Sequence, residues 1–322
     1  MNQSILLSIG MLAVAGLQPV PLPAAATASA GFSWDRRADS IALLRDGAVV
    51  WQFNHGTNQP MPFFHPLAVP GGPVLTANRP ADHPWHHALW FAWKYVNGID
   101  YWAPASGAAR SEGRTEWHDA QVVTHDDFSA RILMDLRYRP AGKDPLMNEH
   151  RVVEVSAPDA QGVFHLDWTM TFTASTQDVV LSRTPIPGEP GGVAWGGYAG
   201  LSVRLANELS EVRVVTSLGP IDFTGGTYRG KASAMDYAGT IEQREVGIAI
   251  LDHPDNLNHP SPWYAIHDKP MRYFSPAVLC YQAHTLKAGQ SLRLRYRVLV
   301  HPGRWDAARL RQAVEQYTQA SP

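Results

Sequence analysis

The stretch Phe164-His165-Leu166-Asp167-Trp168-Thr169-Met170-Thr171-Phe172 decides the fold. Apolar side chains occupy every even position, and polar or charged ones occupy every odd position. Successive side chains of an extended strand point to opposite faces, so a period of two predicts a strand with one buried and one polar face. Leu292, Leu294, Tyr296, Val298 and Val300 repeat the pattern against Arg293, Arg295 and Arg297. Ile41 to Phe53 reads as a hairpin, with apolar strands on either side of Asp46-Gly47, a two-residue turn signal. Val96-Asn97-Gly98-Ile99 uses the same device. Further strands are predicted at 120–125, 130–139, 150–156, 178–183, 198–205, 211–216 and 241–251. Turn clusters fall at 140–145, 157–162, 185–197 and 224–231. Helical spacing occurs near the C-terminus, where Asp306 can cap a helix carrying Leu310, Ala313, Val314 and Tyr317 on one face. Many strands with one terminal helix predict an all-β chain, a large antiparallel β-sandwich or a barrel, with the single sandwich preferred.

Residues 1–30 are expected to stand outside that fold. Ile5 to Val20 is apolar, and Ala28-Ser29-Ala30 gives a small-x-small pattern before Gly31. This predicts a signal peptide cut after Ala30, and so a periplasmic or secreted protein. The alternative is an Ala/Pro-rich leader without structure. Pro19, Pro21 and Pro23 break the run, so it cannot form a spanning helix of ~20 residues. Residues 31–322 are expected to form one domain. A formal net charge of −2 disfavours a nucleic-acid footprint. The single cysteine, Cys280, excludes an internal disulfide and reads as a buried thiol. The oligomeric state stays open.

Chemistry concentrates between residues 65 and 102. His65-Pro66-Leu67 leads through a Pro/Gly-rich link to Arg79-Pro80-Ala81-Asp82-His83-Pro84-Trp85-His86-His87. A tryptophan-rich strand, Ala88 to Val96, is expected next. Pro84 disfavours helix at His83, so the run is predicted to be a loop entering that strand. His86 and His87 are then expected to point to opposite sides. Asp82 can hold one imidazole in a single tautomer. The other reading is histidines that merely stack on Trp85 and Trp90 and bond backbone carbonyls.

Two more segments share this character. Leu251-Asp252-His253-Pro254-Asp255-Asn256 closes an apolar strand; it is either a second His/Asp site or an Asx-type turn. Asp236, in Met235-Asp236-Tyr237-Ala238-Gly239, is either a carboxylate acid or base, or a strand cap. The candidate catalytic set is therefore Asp82, His83, His86, His87, Asp236, Asp252 and His253. His83-x-x-His86 is compatible with one divalent metal ion, with His65 or His253 as a third ligand. Without a metal, the same groups suit acid–base work near neutral pH. Trp85, Trp90, Trp93 and Trp102 could stack on the apolar C–H faces of a sugar, or simply fill a core. No Gly-x-Ser-x-Gly elbow, His-Glu-x-x-His, phosphate loop or dinucleotide fingerprint occurs.

These blocks together resemble the exported bacterial family called "methane oxygenase PmoA-like". The residues that carry the resemblance are His65-Pro66-Leu67, Asp82 to Leu89, Val96-Asn97-Gly98, Gly197-Tyr198-Ala199-Gly200-Leu201-Ser202, Asp236-Tyr237-Ala238-Gly239 and Asp252-His253-Pro254. The oxygenase name does not transfer, because a membrane monooxygenase subunit needs spanning helices and this chain has none. The resemblance implies a galactose-mutarotase-like supersandwich, closed by strands after Thr285-Leu286-Lys287-Ala288-Gly289-Gln290. That fold carries sugar epimerases, hydrolases and lyases with His, Asp and Glu on a concave face. Tyr273-Phe274-Ser275-Pro276 stands where Asn-Pro-Phe is common, and His87 where Arg or Gly is common, so a shared substrate is not implied. The expected substrate-binding set is His65, Arg79, Trp85, Trp90, Asn97, Tyr198 and Tyr237. The expected ligand is a carbohydrate or glycoside. The expected function is an exported carbohydrate-active enzyme that cleaves a glycoside or an oxidised, keto-sugar derivative. Non-catalytic sugar binding and metal binding are the alternatives.

Overall fold

The structure is a computed structural model that describes Met1 and residues 31–320, apart from 106, 107, 109 and 269. The expected signal peptide and its cleavage point lie outside the described residues. Gly31–Pro322 forms one compact unit. It is nearly all antiparallel β structure, with one C-terminal helix, Ala307–Ala320. No helix among the described residues is long and apolar enough to cross a membrane.

A ten-stranded sheet is built around the deciding stretch. Phe164–Ala174 pairs with Met147–Val155 on one side and with Ser291–Pro302 on the other. Its even residues are buried and its odd ones half-buried along the whole strand, as the alternation demands. Phe164, Leu166, Trp168, Met170 and Phe172 point to the centre of the sandwich. The opposing sheet has nine strands, ordered Phe32–Arg36, Ser40–Arg45, Ala48–Asn54, Phe63–Leu67, Leu89–Ala92, Gly200–Arg204, Arg272–Pro276, Pro262–His267 and Thr227–Lys231. Ring contacts cross between the layers, Phe64 to Trp168 at 5.7 Å and Phe91 to Phe172 at 5.2 Å. Both Asx-Gly turns form as expected, with φ of 51° and 81° at Asp46-Gly47 and of 51° and 78° at Asn97-Gly98.

Two departures from simple alternation matter. In Ser291–Pro302 the second face is not open: Arg295, Leu299 and His301 are buried as well. The C-terminal helix covers that face, packing Leu310 and Tyr317 on Leu251, Leu299 and Trp305. The second departure lies in the nine-stranded sheet. Leu89–Ala92 is buried on both faces: Leu89 and Phe91 face the sandwich core, while Trp90 and Ala92 face a second apolar cluster on the sheet's other side. The tryptophan-rich strand is also shorter than expected, ending at Ala92 and resuming only at Tyr95–Val96.

Candidate functional site

Alternation builds the site across four neighbouring strands. Leu201 and Val203 face the core, so Ser202 and Arg204 face the opposite side. Phe274 faces the core and Tyr273 does not; Ala265 faces it and Tyr264 does not. Register then aligns them, with Ser202 opposite Trp90 and Arg204 opposite Tyr273. The Tyr273 and Ser202 hydroxyls hydrogen-bond at 2.7 Å. This aromatic floor has residues from distant parts of the chain.

The His-rich loop forms the roof. Arg79 N–H donates to the His86 carbonyl at 2.8 Å, and Asn78 bridges His87, which ties the loop into a closed turn. Arg79 and Ala88 take positive φ, 52° and 65°, at the two ends of this turn. The turn points His86 and His87 apart, as the extended reading requires. His86 lies against Trp90 at 5.2 Å and Tyr273 at 5.5 Å. His87 packs on Phe63 at 5.1 Å, with Nδ1 3.1 Å from Asn78 Oδ1.

Between floor and roof lies a cavity of about 340 Å³. His83, Trp85, His86, Trp102, Tyr198, Tyr264 and Tyr273 line it, and Trp195, 58% exposed, stands at its mouth. Behind His83 the structure assembles a hydrogen-bonded network of Asp82 and Arg204. His83 Nδ1 donates to Asp82 Oδ2 at 2.8 Å. Arg204 Nη2 donates to both Asp82 oxygens, at 2.9 and 2.8 Å, and to the Pro270 carbonyl at 3.0 Å. Burial works against ionisation of Asp82, but the hydrogen bonds from His83 and Arg204 outweigh it and hold the carboxyl below its ordinary value. His83 Nε2 makes no hydrogen bond among the described residues, so it is the nitrogen left for a ligand. Burial, with the nearby His83 and Arg204, pushes His86 far below the usual imidazole range, so it is neutral near pH 7. Its Nδ1 is buried without a hydrogen-bond partner.

Asp82, His83, Trp85, Trp90, His86 and Tyr198 thus gather at one place, while other expected residues do not. His65 lies on Phe63–Leu67, with Nδ1 3.0 Å from Thr76 Oγ1; burial lowers it to about 4. Asn97 sits in the hairpin turn and holds Val180 N–H at 2.7 Å. Tyr237 lies in the sandwich core and donates to the Ile266 carbonyl at 3.1 Å. Asp236 faces the helix side of the other sheet, bonded to His301 at 2.9 Å and accepting Trp305 N–H at 3.3 Å. Asp252 is fully buried and accepts from Asn256, His259 and Ser261 at 2.7–2.8 Å, which is the turn reading of that segment. His253 packs edge-on against Tyr317 of the helix at 5.5 Å. Neighbours in a strand point to opposite faces, and these three residues lie on the second sheet or its connecting loop.

The expected metal triad is not assembled. Among the described residues no three His, Cys, Asp or Glu side chains are placed to share an ion. The rings of His83 and His86 are stacked 4.7 Å apart at 30°, so their in-plane lone pairs run side by side instead of converging. Sequence reasoning also missed Arg204, Tyr264 and Tyr273. Arg204 stands in Leu201-Ser202-Val203-Arg204-Leu205, where alternation reads it as a solvent-facing charge. Trp195 was within reach, in a 185–197 loop of the length that often carries function.

The comparisons with known proteins follow the same outline. The family of unknown function DUF6807 matches residues 40–315. The chain belongs to that family. Asp82, His83, Arg204 and Tyr273 all fall within the DUF6807 region, as do all the aromatic residues of the cavity. No curated protein matches the sequence. Among solved structures, a galactose mutarotase-related enzyme from Lactobacillus acidophilus is similar over 84% of this chain and 97% of its own, at 9% identity and a TM-score of 0.36. A likeness that shallow carries no argument about activity. The family match gives DUF6807 a fold here, without a reaction.

Proposed function

We propose that this protein is an exported carbohydrate-active enzyme, with His83 as its acid–base group. One observation carries the reading: the Asp82–His83 pair opens onto a cavity walled by tryptophan and tyrosine. Rings of that kind stack on the C–H faces of a sugar, and an imidazole oriented by a carboxylate moves protons near neutral pH. A "methane oxygenase PmoA-like" label describes none of this chemistry.

The lining favours elimination on an oxidised sugar over ordinary hydrolysis. Glycoside hydrolysis commonly uses two carboxylates across the scissile bond. No Asp or Glu among the described residues lines this cavity, and Asp82, the carboxylate behind His83, is bound to His83 and Arg204. A single base suffices when a C–H beside a carbonyl ionises. His83 Nε2 takes that proton, and the electron pair moves to the carbonyl oxygen as an enolate. Neutral His86 can donate a hydrogen bond to such an oxygen. The enolate then expels the glycosidic oxygen from the neighbouring carbon, and that oxygen takes the proton back from His83. A sugar-binding role without catalysis is the second reading, favoured by the apolar lining.

The test is a panel of glycosides and keto-glycosides. For the enzyme, His83→Ala lowers kcat at least ~100-fold while ligand affinity changes little, and Asp82→Asn lowers it by a smaller factor. Turnover that survives His83→Ala undiminished would sink the assignment. Binding without turnover of any member would leave the second reading.

A further inference from the structure

A second cavity, about 520 Å³, adjoins the aromatic one and shares two of its walls, Trp85 and Trp102. Its chemistry differs. The lining includes Arg79, Arg110, Asn58, Gln59 and His87, and no Asp or Glu. Arg110 Nη2 donates to the Asn58 carbonyl at 2.9 Å. Among the described residues neither arginine forms an ion pair, and no other arginine lines the cavity. Burial and the unneutralised Arg79 charge together lower His87 to about 4, so the imidazole adds donors or acceptors but no charge.

Arg79 is also held where it is at a cost. Its φ of 52° is uncommon for a residue with a side chain, and its N–H is tied to the His86 carbonyl. The backbone that sets His86 in the first cavity therefore also aims the chain at Arg79 toward the second. Two guanidinium groups without counter-charge, beside a sugar-stacking pocket, form a receptor for an anion carried by the next residue of the same ligand. Guanidinium is planar and pairs with a carboxylate through two parallel hydrogen bonds.

We propose that the second cavity is a subsite for an anionic sugar residue, a uronate, so that the ligand is an acidic glycoside spanning Trp85 and Trp102. This rests on the carbohydrate reading above. The neutral ring occupies the aromatic cavity, and the uronate carboxylate meets Arg79 and Arg110.

The experiment measures affinity by titration calorimetry for an array of neutral, uronate-bearing and sulfated oligosaccharides. Wild-type protein is compared with Arg79→Gln, Arg110→Gln and the double variant, each checked for an unchanged melting temperature. The expected result is a uronate-to-neutral affinity ratio of about ten or more, falling toward one in the double variant and at high salt. Neutral sugars bound as tightly as uronates, or a ratio that survives the double substitution, overturns the inference and leaves the carbohydrate reading standing. A preference for sulfate esters over uronates overturns the carboxylate assignment. Binding of no sugar at all removes the parent reading and this inference with it.

Discussion

Protonation at single residues sets much of the behaviour expected of this protein. His87 and His65 are both lowered to about 4 by burial, from an ordinary value of 6.5. The unfolded chain therefore takes up protons first, and stability is complete above about pH 6.5. It falls as pH drops from there toward 4, by at most ~1.4 kcal/mol per pH unit for each histidine. Urea midpoints measured across that window should show the slope, and His87→Gln should make it shallower. Arg204 is the other residue of consequence. It is fully buried and bonds both oxygens of Asp82. Arg204→Met should cost about 3 kcal/mol in urea unfolding, because it leaves a partly buried carboxylate with His83 alone. An unchanged midpoint would mean that Asp82 does not depend on Arg204.

Among the elements, the loop after Arg244–Asp252 separates a structural role from a catalytic one. Asp252 accepts hydrogen bonds from Asn256, His259 and Ser261 and ties residues 253–261 to the strand end. The pairing raises His259, chiefly through its hydrogen bond to Asp252. Asp252→Ala should lower stability by roughly 3 kcal/mol, since several donors lose one buried acceptor. Turnover per folded molecule should survive; a stable but inactive variant would return Asp252 to the catalytic set. Local pattern read the strands well where one face was open. Ala130–Pro140 and Phe164–Ala174 alternate cleanly and were expected at those places. Ala234–Ile241, Pro262–His267 and Arg272–Pro276 were not, because both of their faces are covered and a continuous buried run carries no period. Thr227–Lys231 was expected as a turn cluster, yet pairs with Pro262–His267 at the sheet edge.

At the scale of the molecule, the sandwich has two dressed outer faces. Loops over the nine-stranded sheet form the candidate site, and the helix Ala307–Ala320 covers part of the other sheet. Leu310, on the buried side of that helix, is fully buried. Leu310→Ala should cost 2–4 kcal/mol by thermal or urea unfolding, while sugar affinity at the aromatic cavity stays the same, since distant sites add independently. The proposed export makes a whole-chain prediction of its own: intact mass of protein recovered from the periplasm should show an N-terminus at Gly31. The sequence by itself determined the class of fold and which side chains share the His-rich loop. Period-two alternation is a local property, and Asp82, His83, Trp85 and His86 lie within a few residues of one another. Only the tertiary structure decided which face of each strand met solvent, core or cavity. Alternation says that Ser202 and Val203 part company, but not what covers either side. Strand order brought Arg204, Tyr264 and Tyr273 beneath the His83 loop, and the same closure set Asp236 under the helix and Asp252 inside its own turn. Side-chain direction is written in adjacent residues; the neighbour that each side chain meets is written only in how the sheets close.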